Sequence, residues 1–195
     1  MNDHEQLLEQ FIASFEKLDD MSAIQGLSPV DWQLSTTKPD EYGRITWRPR
    51  KVGSPRAQLD RLYLRFPLRF PTLFETLLLS YRWEEVDLGY YRLLANPPGA
   101  DLSGFYGAIS RDSAVWDVLV PSGHLPFAKG PKGDFDPVCF ATKSRDKVGD
   151  CRIVKINHKE IMFNRRVKIV SQMALSFKDL VTQTVAKANE IAGPA

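Results

Sequence analysis

Asp134 and Asp136 stand two apart in Gly133-Asp134-Phe135-Asp136-Pro137, with Cys139 close behind. Alternate carboxylates are a side-chain type that gives oxygen ligands to calcium, an ion that takes about six to eight of them. The rest of a calcium-loop signature is missing here, and no further acidic residue follows until Asp146. Gly130, Pro131 and Gly133 are turn formers, and an Asp among them caps a backbone amide. Proline at 137 suits the first position of a strand. The corner therefore reads as a turn feeding a buried strand. Asp134, Asp136 and Pro137 are expected to be structural and to border a pocket walled by Trp116, Phe127 and Phe140, with no metal and no cofactor.

Other reactive side chains are spaced too irregularly for known chemistry. His124, Cys139, Cys151 and His158 are zinc-ligand types, but no C-x₂₋₄-C or H-x₃₋₅-H element joins them. There is no G-x-S-x-G, and Gly130-Pro131-Lys132-Gly133 is too short for a phosphate loop and lacks its following Ser or Thr. Cys139 lies in the apolar run Val138-Cys139-Phe140, where a buried, protonated thiol is expected. These patterns predict a protein without catalytic activity. An enzyme built around Asp134, Asp136 and His124 is the contrary reading.

The stretch from about 35 to 65 offers a different chemistry, that of contact. Arg44, Arg48, Arg50, Arg61 and Arg65 interleave with Trp32, Tyr42, Trp47 and Tyr63. Arginine and aromatic residues are enriched at interaction hot spots, so this basic, irregular insertion is the candidate surface for a protein partner. Stacking of single-stranded nucleic acid on residues 44–69 is the alternative, and a solvated insertion whose aromatics fold back on the domain is a third.

The elements that must position these residues follow from periodicity. Leu7, Leu8, Phe11, Ile12, Phe15 and Leu18 predict one helix over 3–18, with Asn2 and Glu5 spaced as a cap pair. A second helix is predicted over 71–82, Pro71 suiting its first position. A third, from Ser176 and Asp179 to the Gly193-Pro194 stop, carries Phe177, Leu180, Val181, Thr184, Val185, Ala188 and Ile191 on one face. Strands are predicted at 44–48, 62–66, 90–94, 137–142, 151–156 and 166–171. A hairpin is predicted from 105–109 and 114–120 around Ser110–Ser113. Strands grouped between helices imply an α+β fold with a mainly antiparallel sheet.

Composition sets the frame. The 195 residues, 43% of them apolar, suffice for one domain with its own core. Net charge is +2, so nothing in the balance calls for nucleic acid or an anionic membrane as the main partner. Two cysteines cannot make a disulfide framework. Met1-Asn2-Asp3-His4-Glu5 lacks the basic, then apolar, pattern of a signal peptide, and no run approaches the roughly 20 apolar residues that span a bilayer. A cytoplasmic location is expected.

Several segments, taken in order, resemble the SUKH superfamily in its Smi/Knr branch, named for a yeast cell-wall-assembly regulator. They are Phe70–Leu78, Trp116–Ala128, Gly133–Phe140, Cys151–Glu160 and Ser176–Leu180, together covering roughly residues 66 to 185. The resemblance implies an α+β domain with a strongly bent sheet and flanking helices, acting as a binding module without a catalytic constellation. Many bacterial relatives are immunity proteins that neutralise a cognate toxin, and a regulatory scaffold role is the other one implied. The chain departs from the pattern at Ser80-Tyr81-Arg82-Trp83-Glu84, where relatives usually carry a glycine pair, and in its basic insertion.

Overall fold

A computed structural model describes residues 3–24 and 33–192. Asn2, Gly26, Pro29, Trp32 and the Gly193-Pro194 stop lie outside the described residues. The chain opens with α1 (Asp3–Ala13) and the short α2 (Phe15–Leu18). The single helix expected over 3–18 is broken at buried Ser14, whose hydroxyl donates to the Gln10 carbonyl at 2.8 Å. Leu8, Phe11 and Phe15 are buried along its inner face, as helical spacing requires.

Strands β1 (Ser22–Ile24) and β2 (Arg44–Thr46) pair as an antiparallel ribbon, and β3 (Arg50–Lys51) pairs with β4 (Tyr81–Arg82). Between β3 and β4 lie α3 (Ala57–Tyr63) and α4 (Thr72–Ser80), the latter with Pro71 as its N-cap. The stretch 35–65 thus carries β2, β3 and α3, and buries Ile45, Trp47, Leu59 and Leu62. The strand expected at 62–66 is instead the end of α3 and the turn after it. Leu59, Leu62 and Phe66 recur at helical intervals, and all three are buried.

The remaining strands are β5 (Val86–Asp87), β6 (Arg92–Leu93), β7 (His124–Lys129), β8 (Pro137–Ala141), β9 (Ile153–Ile156) and β10 (Ile169–Ala174). They form one sheet in sequence order, every neighbour antiparallel. The fold is α+β, as the grouping of elements indicates. Helices α5 (Ser103–Ser110) and α6 (Ser113–Leu119) occupy the place of the expected hairpin. Phe105/Ile109 and Val115/Leu119 are buried four apart, and Asp112 caps α6 by accepting from the Val115 amide at 3.2 Å. Strand β7 was not foreseen, because Pro126 interrupts it. The register of β7 against β8 shifts between Pro126 and Ala128, a bulge that accommodates the proline inside the sheet. After a single 3₁₀ turn at Thr142–Ser144 and then β9 comes α7 (His158–Asn164), also unforeseen, and capped by Asn157 through the Glu160 amide at 2.9 Å. The chain closes with α8 (Phe177–Ala192), where Ser176 Oγ accepts from the Asp179 amide at 3.0 Å as the cap pair predicts.

Alternation along the strands divides the sheet into two faces. Leu125 and Phe127 of β7, Val138 and Phe140 of β8 and Ile153 of β9 join the main core with α1, α4 and α8. Its centre is Phe74, whose ring lies 5.1–5.9 Å from those of Phe70, Phe105, Phe127, Phe140 and Phe177. On the other face Cys139, Val154 and Ile156 pack under α6 and α7 through Val115, Leu119 and Ile161. Helices α6 and α7 leave the β5–β7 end of this second face uncovered.

Candidate functional site

That uncovered end is an open cleft of about 1280 Å³. Its floor is Pro126 and Ala128 of β7 with Pro137 of β8. One wall is α5, which presents Gly104, Gly107 and Ala108 on a single helical face. Gly104 is required there: a Cβ would stand 2.6 Å from Pro97. Trp47, expected as a partner anchor, is a buried part of the opposite wall.

The rim is acidic on the side built from the α2 exit and β5, where Asp19, Asp20, Glu84, Glu85 and Asp87 come together. Asp19 accepts from the Asp87 amide at 2.6 Å and from the Met21 amide at 2.9 Å, holding Met21 at a φ of 53°. Burial pushes the Asp19 carboxyl up, against the pull of those two amides. Asp20 is held low by the Ser22 hydroxyl at 2.8 Å and by the Ser22 amide. Asp87 accepts from the Gly89 and Lys132 amides at 2.8 and 3.1 Å. Glu85 pairs with Arg92 at 3.2 Å and Lys129 at 2.9 Å. Asp19, Asp20, Glu85 and Asp87 are thus held in place by amides, a hydroxyl and ion pairs, which stiffens this side of the rim.

The Asp134–Asp136 corner borders this cleft and serves as architecture. Asp134 ion-pairs with Lys155 and accepts from the Asp136 amide at 2.9 Å. Burial acts to raise its carboxyl, but the Lys155 ammonium and that amide outweigh it and hold the group low. Asp136 accepts from the His158 amide at 2.8 Å in the first turn of α7. Arg92 donates to the Gly130 and Asp134 carbonyls at 3.1 and 3.4 Å, closing the turn. None of the expected wall residues Trp116, Phe127 and Phe140 lines the cleft; Pro137 does, and so does the exposed Phe135, which was not expected there and whose ring lies 6.3 Å from that of His158. Phe127 and Phe140 stack on each other at 4.2 Å in the main core, and half-buried Trp116 packs on Phe66 and Tyr106 at 5.4 and 5.7 Å.

The arginine–aromatic stretch is spread over internal partners. Arg48 pairs with Glu16, Arg50 approaches Gln33 at 3.5 Å, and Arg65 stacks on Tyr106 at 4.7 Å. The Tyr63 hydroxyl donates to Glu75 at 2.7 Å and accepts from the Phe70 amide at 3.0 Å, and burial raises its pKa. Arg61 is exposed on α3. Only Arg44, 5.9 Å from the exposed Tyr42 ring, reaches the cleft as a solvent-facing cation of this set. Lone Asp19-Asp20 and the run Glu84-Glu85-Val86-Asp87 were visible in the sequence, but nothing local says that they meet.

Cys139 and Cys151 are buried, and burial pushes both thiols up, Cys151 to about 12. Among the described residues no group of three or more His, Cys, Asp or Glu could hold a metal ion, and no helix is long and apolar enough to cross a membrane. Ser122 Oγ lies 2.9 Å from His124 Nδ1, but it also lies 2.7 Å from the Leu119 carbonyl and has one proton to give. The pair closes the α6–β7 joint. Burial, helped by Lys143, lowers the His124 pKa, so the folded state favours the neutral ring. The unfolded chain then binds the extra proton first. His124's contribution is complete above its ordinary 6.5 and falls as pH drops from there toward the folded value. Urea midpoints of the wild type and His124→Gln between about pH 5 and 7.5 will show this, the wild type losing more on acidification. Parallel lines for the two proteins would refute it.

No family model matches the chain, and no curated protein matches it.

Proposed function

We propose that the protein is a non-catalytic binding module for another protein, of the kind in which an immunity protein neutralises a cognate toxin domain. The carrying observation is the open cleft whose rim gathers five carboxylates. Small side chains on its walls admit a protruding lobe, and an acidic rim favours a basic one through complementary potential. The resemblance to SUKH proteins supports the reading, as does the antiparallel α+β architecture that it implies.

Two exposed rim positions test the proposal: Asp20, whose side chain accepts from Ser22 and interacts with Asp19 and Lys132, and Glu85, paired with Arg92 and Lys129. The partner is captured from source cells on the wild type, identified, purified and titrated. Asp20→Lys and Glu85→Lys are expected each to weaken it by about tenfold or more, chiefly through slower association that is sensitive to salt. Unchanged affinity in both variants, with unfolding midpoints preserved, refutes the cleft as the site. Turnover of any substrate lost on mutating the cleft refutes the non-catalytic assignment.

A further inference from the structure

The two edges of the six-stranded sheet are unlike. At one edge β5 is two residues long and carries Asp87, so it offers almost nothing to a further strand. At the other edge β10 is six residues long, pairs among the described residues only with β9, and contains no charge, proline or glycine. Natural sheets protect free edges with charge, proline or shortness, because unpaired amides and carbonyls recruit other chains. Strand β10 has none of these, although two bulges interrupt its register with β9.

Its side chains are exposed as well. Ile169 and Val170 are each 52% exposed, and Ser171 and Gln172 are open to solvent. Just before the strand, Phe163 of α7 is 82% exposed and Met162 43%. Four cations, Lys159, Arg165, Arg166 and Lys168, stand in this segment against a single carboxylate, Glu160. Glu160 already binds Arg166 at 2.8 Å and Lys168 at 3.9 Å, so the surplus is positive.

We infer that β10 is a docking edge that accepts an extended, acidic segment of a partner protein as a seventh strand. Main-chain hydrogen bonds along the edge supply affinity, alternate apolar side chains of the segment meet exposed Ile169, and its carboxylates meet the basic flank. Strand β10 matches a segment of about six residues. A second copy of this chain is a poor occupant, since pairing β10 with β10 sets one basic flank near another. This edge lies across the sheet from the acidic cleft, so it is a surface separate from the one proposed above and opposite to it in charge.

The probe is a blocked hexapeptide, Glu-Val-Glu-Val-Glu-Val, with Lys-Val-Lys-Val-Lys-Val, a single-stranded oligonucleotide and anionic vesicles as comparisons. Titration of the intact protein is expected to give saturable binding of the acidic peptide alone. Hydrogen exchange at the amides of 169–173 should slow at least about tenfold at saturation. Ile169→Pro should weaken binding at least tenfold, because the bond from the Asn157 amide to the Lys168 carbonyl leaves the Ile169 amide on the open edge. Because a proline can disturb folding, Arg165→Glu and Phe163→Ser, both on exposed side chains, provide the second arm and should each weaken it severalfold with unfolding midpoints unchanged. The inference is overturned by absent binding at millimolar peptide or by equal binding of the basic peptide. It is also overturned if the oligonucleotide or vesicles bind in preference with the same variant dependence, or if the chain dimerises through this edge.

Discussion

Phe74→Ala is expected to lower the unfolding free energy by about 3–5 kcal/mol. That is a large share of the roughly 5–15 kcal/mol that holds a domain of this kind together. Phe74 is fully buried on α4 and touches rings from α5, β7, β8 and α8 as well as Phe70. Truncation loses the transfer free energy of the ring and leaves a cavity that five surrounding aromatics cannot all collapse to fill. Phe74→Leu keeps most of the volume and should cost less, about 1–1.5 kcal/mol. Phe163→Ala, on an exposed ring, should change stability by no more than about 0.5 kcal/mol. The three variants compared by urea unfolding decide the matter: similar losses at Phe74 and Phe163 would mean that the sheet does not close on α4 in the way described.

The second large effect concerns a polar cluster under the end of α4. Buried Arg82 donates to the Leu78 carbonyl at 2.6 Å and the Tyr81 carbonyl at 3.0 Å. It also reaches Ser54 Oγ at 2.6 Å and Gln58 Oε1 at 3.2 Å. Asn96 donates to the same two carbonyls, at 3.1 and 2.8 Å. No carboxylate among the described residues pairs with Arg82, and burial lowers its pKa. Its charge is accommodated by neutral oxygens, two of them at a helix C-terminus, where the macrodipole favours a cation. Arg82→Met and Asn96→Leu should each cost about 2–3 kcal/mol, because each leaves polar groups short of a partner. Together they should cost about 1–2 kcal/mol beyond the sum, since only then do both carbonyls lose every side-chain donor. A double-mutant cycle by chemical denaturation measures this. Additivity within about 0.5 kcal/mol would show that the two side chains do not share the helix end.

The sequence made the long periodic elements readable and the short ones ambiguous. The stripes of α1, α4 and α8 and the Pro137-led strand are where periodicity and end signals place them, within a few residues. Phe105–Ile109 and Ala114–Val120 are short apolar runs, and such runs do not distinguish strand from helix by pattern alone. The deciding signals were present: apolar residues four apart, and Asp112 and Asn157 at caps. Strand β7 was obscured by a single residue, Pro126, whose bulge is a tertiary accommodation. The Asp134–Asp136 turn was legible because glycine and proline set it locally. The acidic rim was not, because α2, β5 and the segment before β5 contribute its carboxylates from stretches some 65 residues apart in the chain. The contacts of the interleaved arginines and tyrosine were hidden for the same reason: Glu16, Glu75 and Tyr106, which meet Arg48, Tyr63 and Arg65, lie in other segments of the chain.

One packing relation constrains how the molecule can be built. The six strands follow one another, so each can add to its predecessor as it is synthesised, yet α1 lies against α8, with Phe11 6.3 Å from Phe177 and Lys17 bonded to Asn189 at 3.0 Å. Helix α1 gains this partner only after α8 has been synthesised. Until then the side of α1 that meets α8 stays uncovered, a stage at which a chaperone has apolar surface to shield.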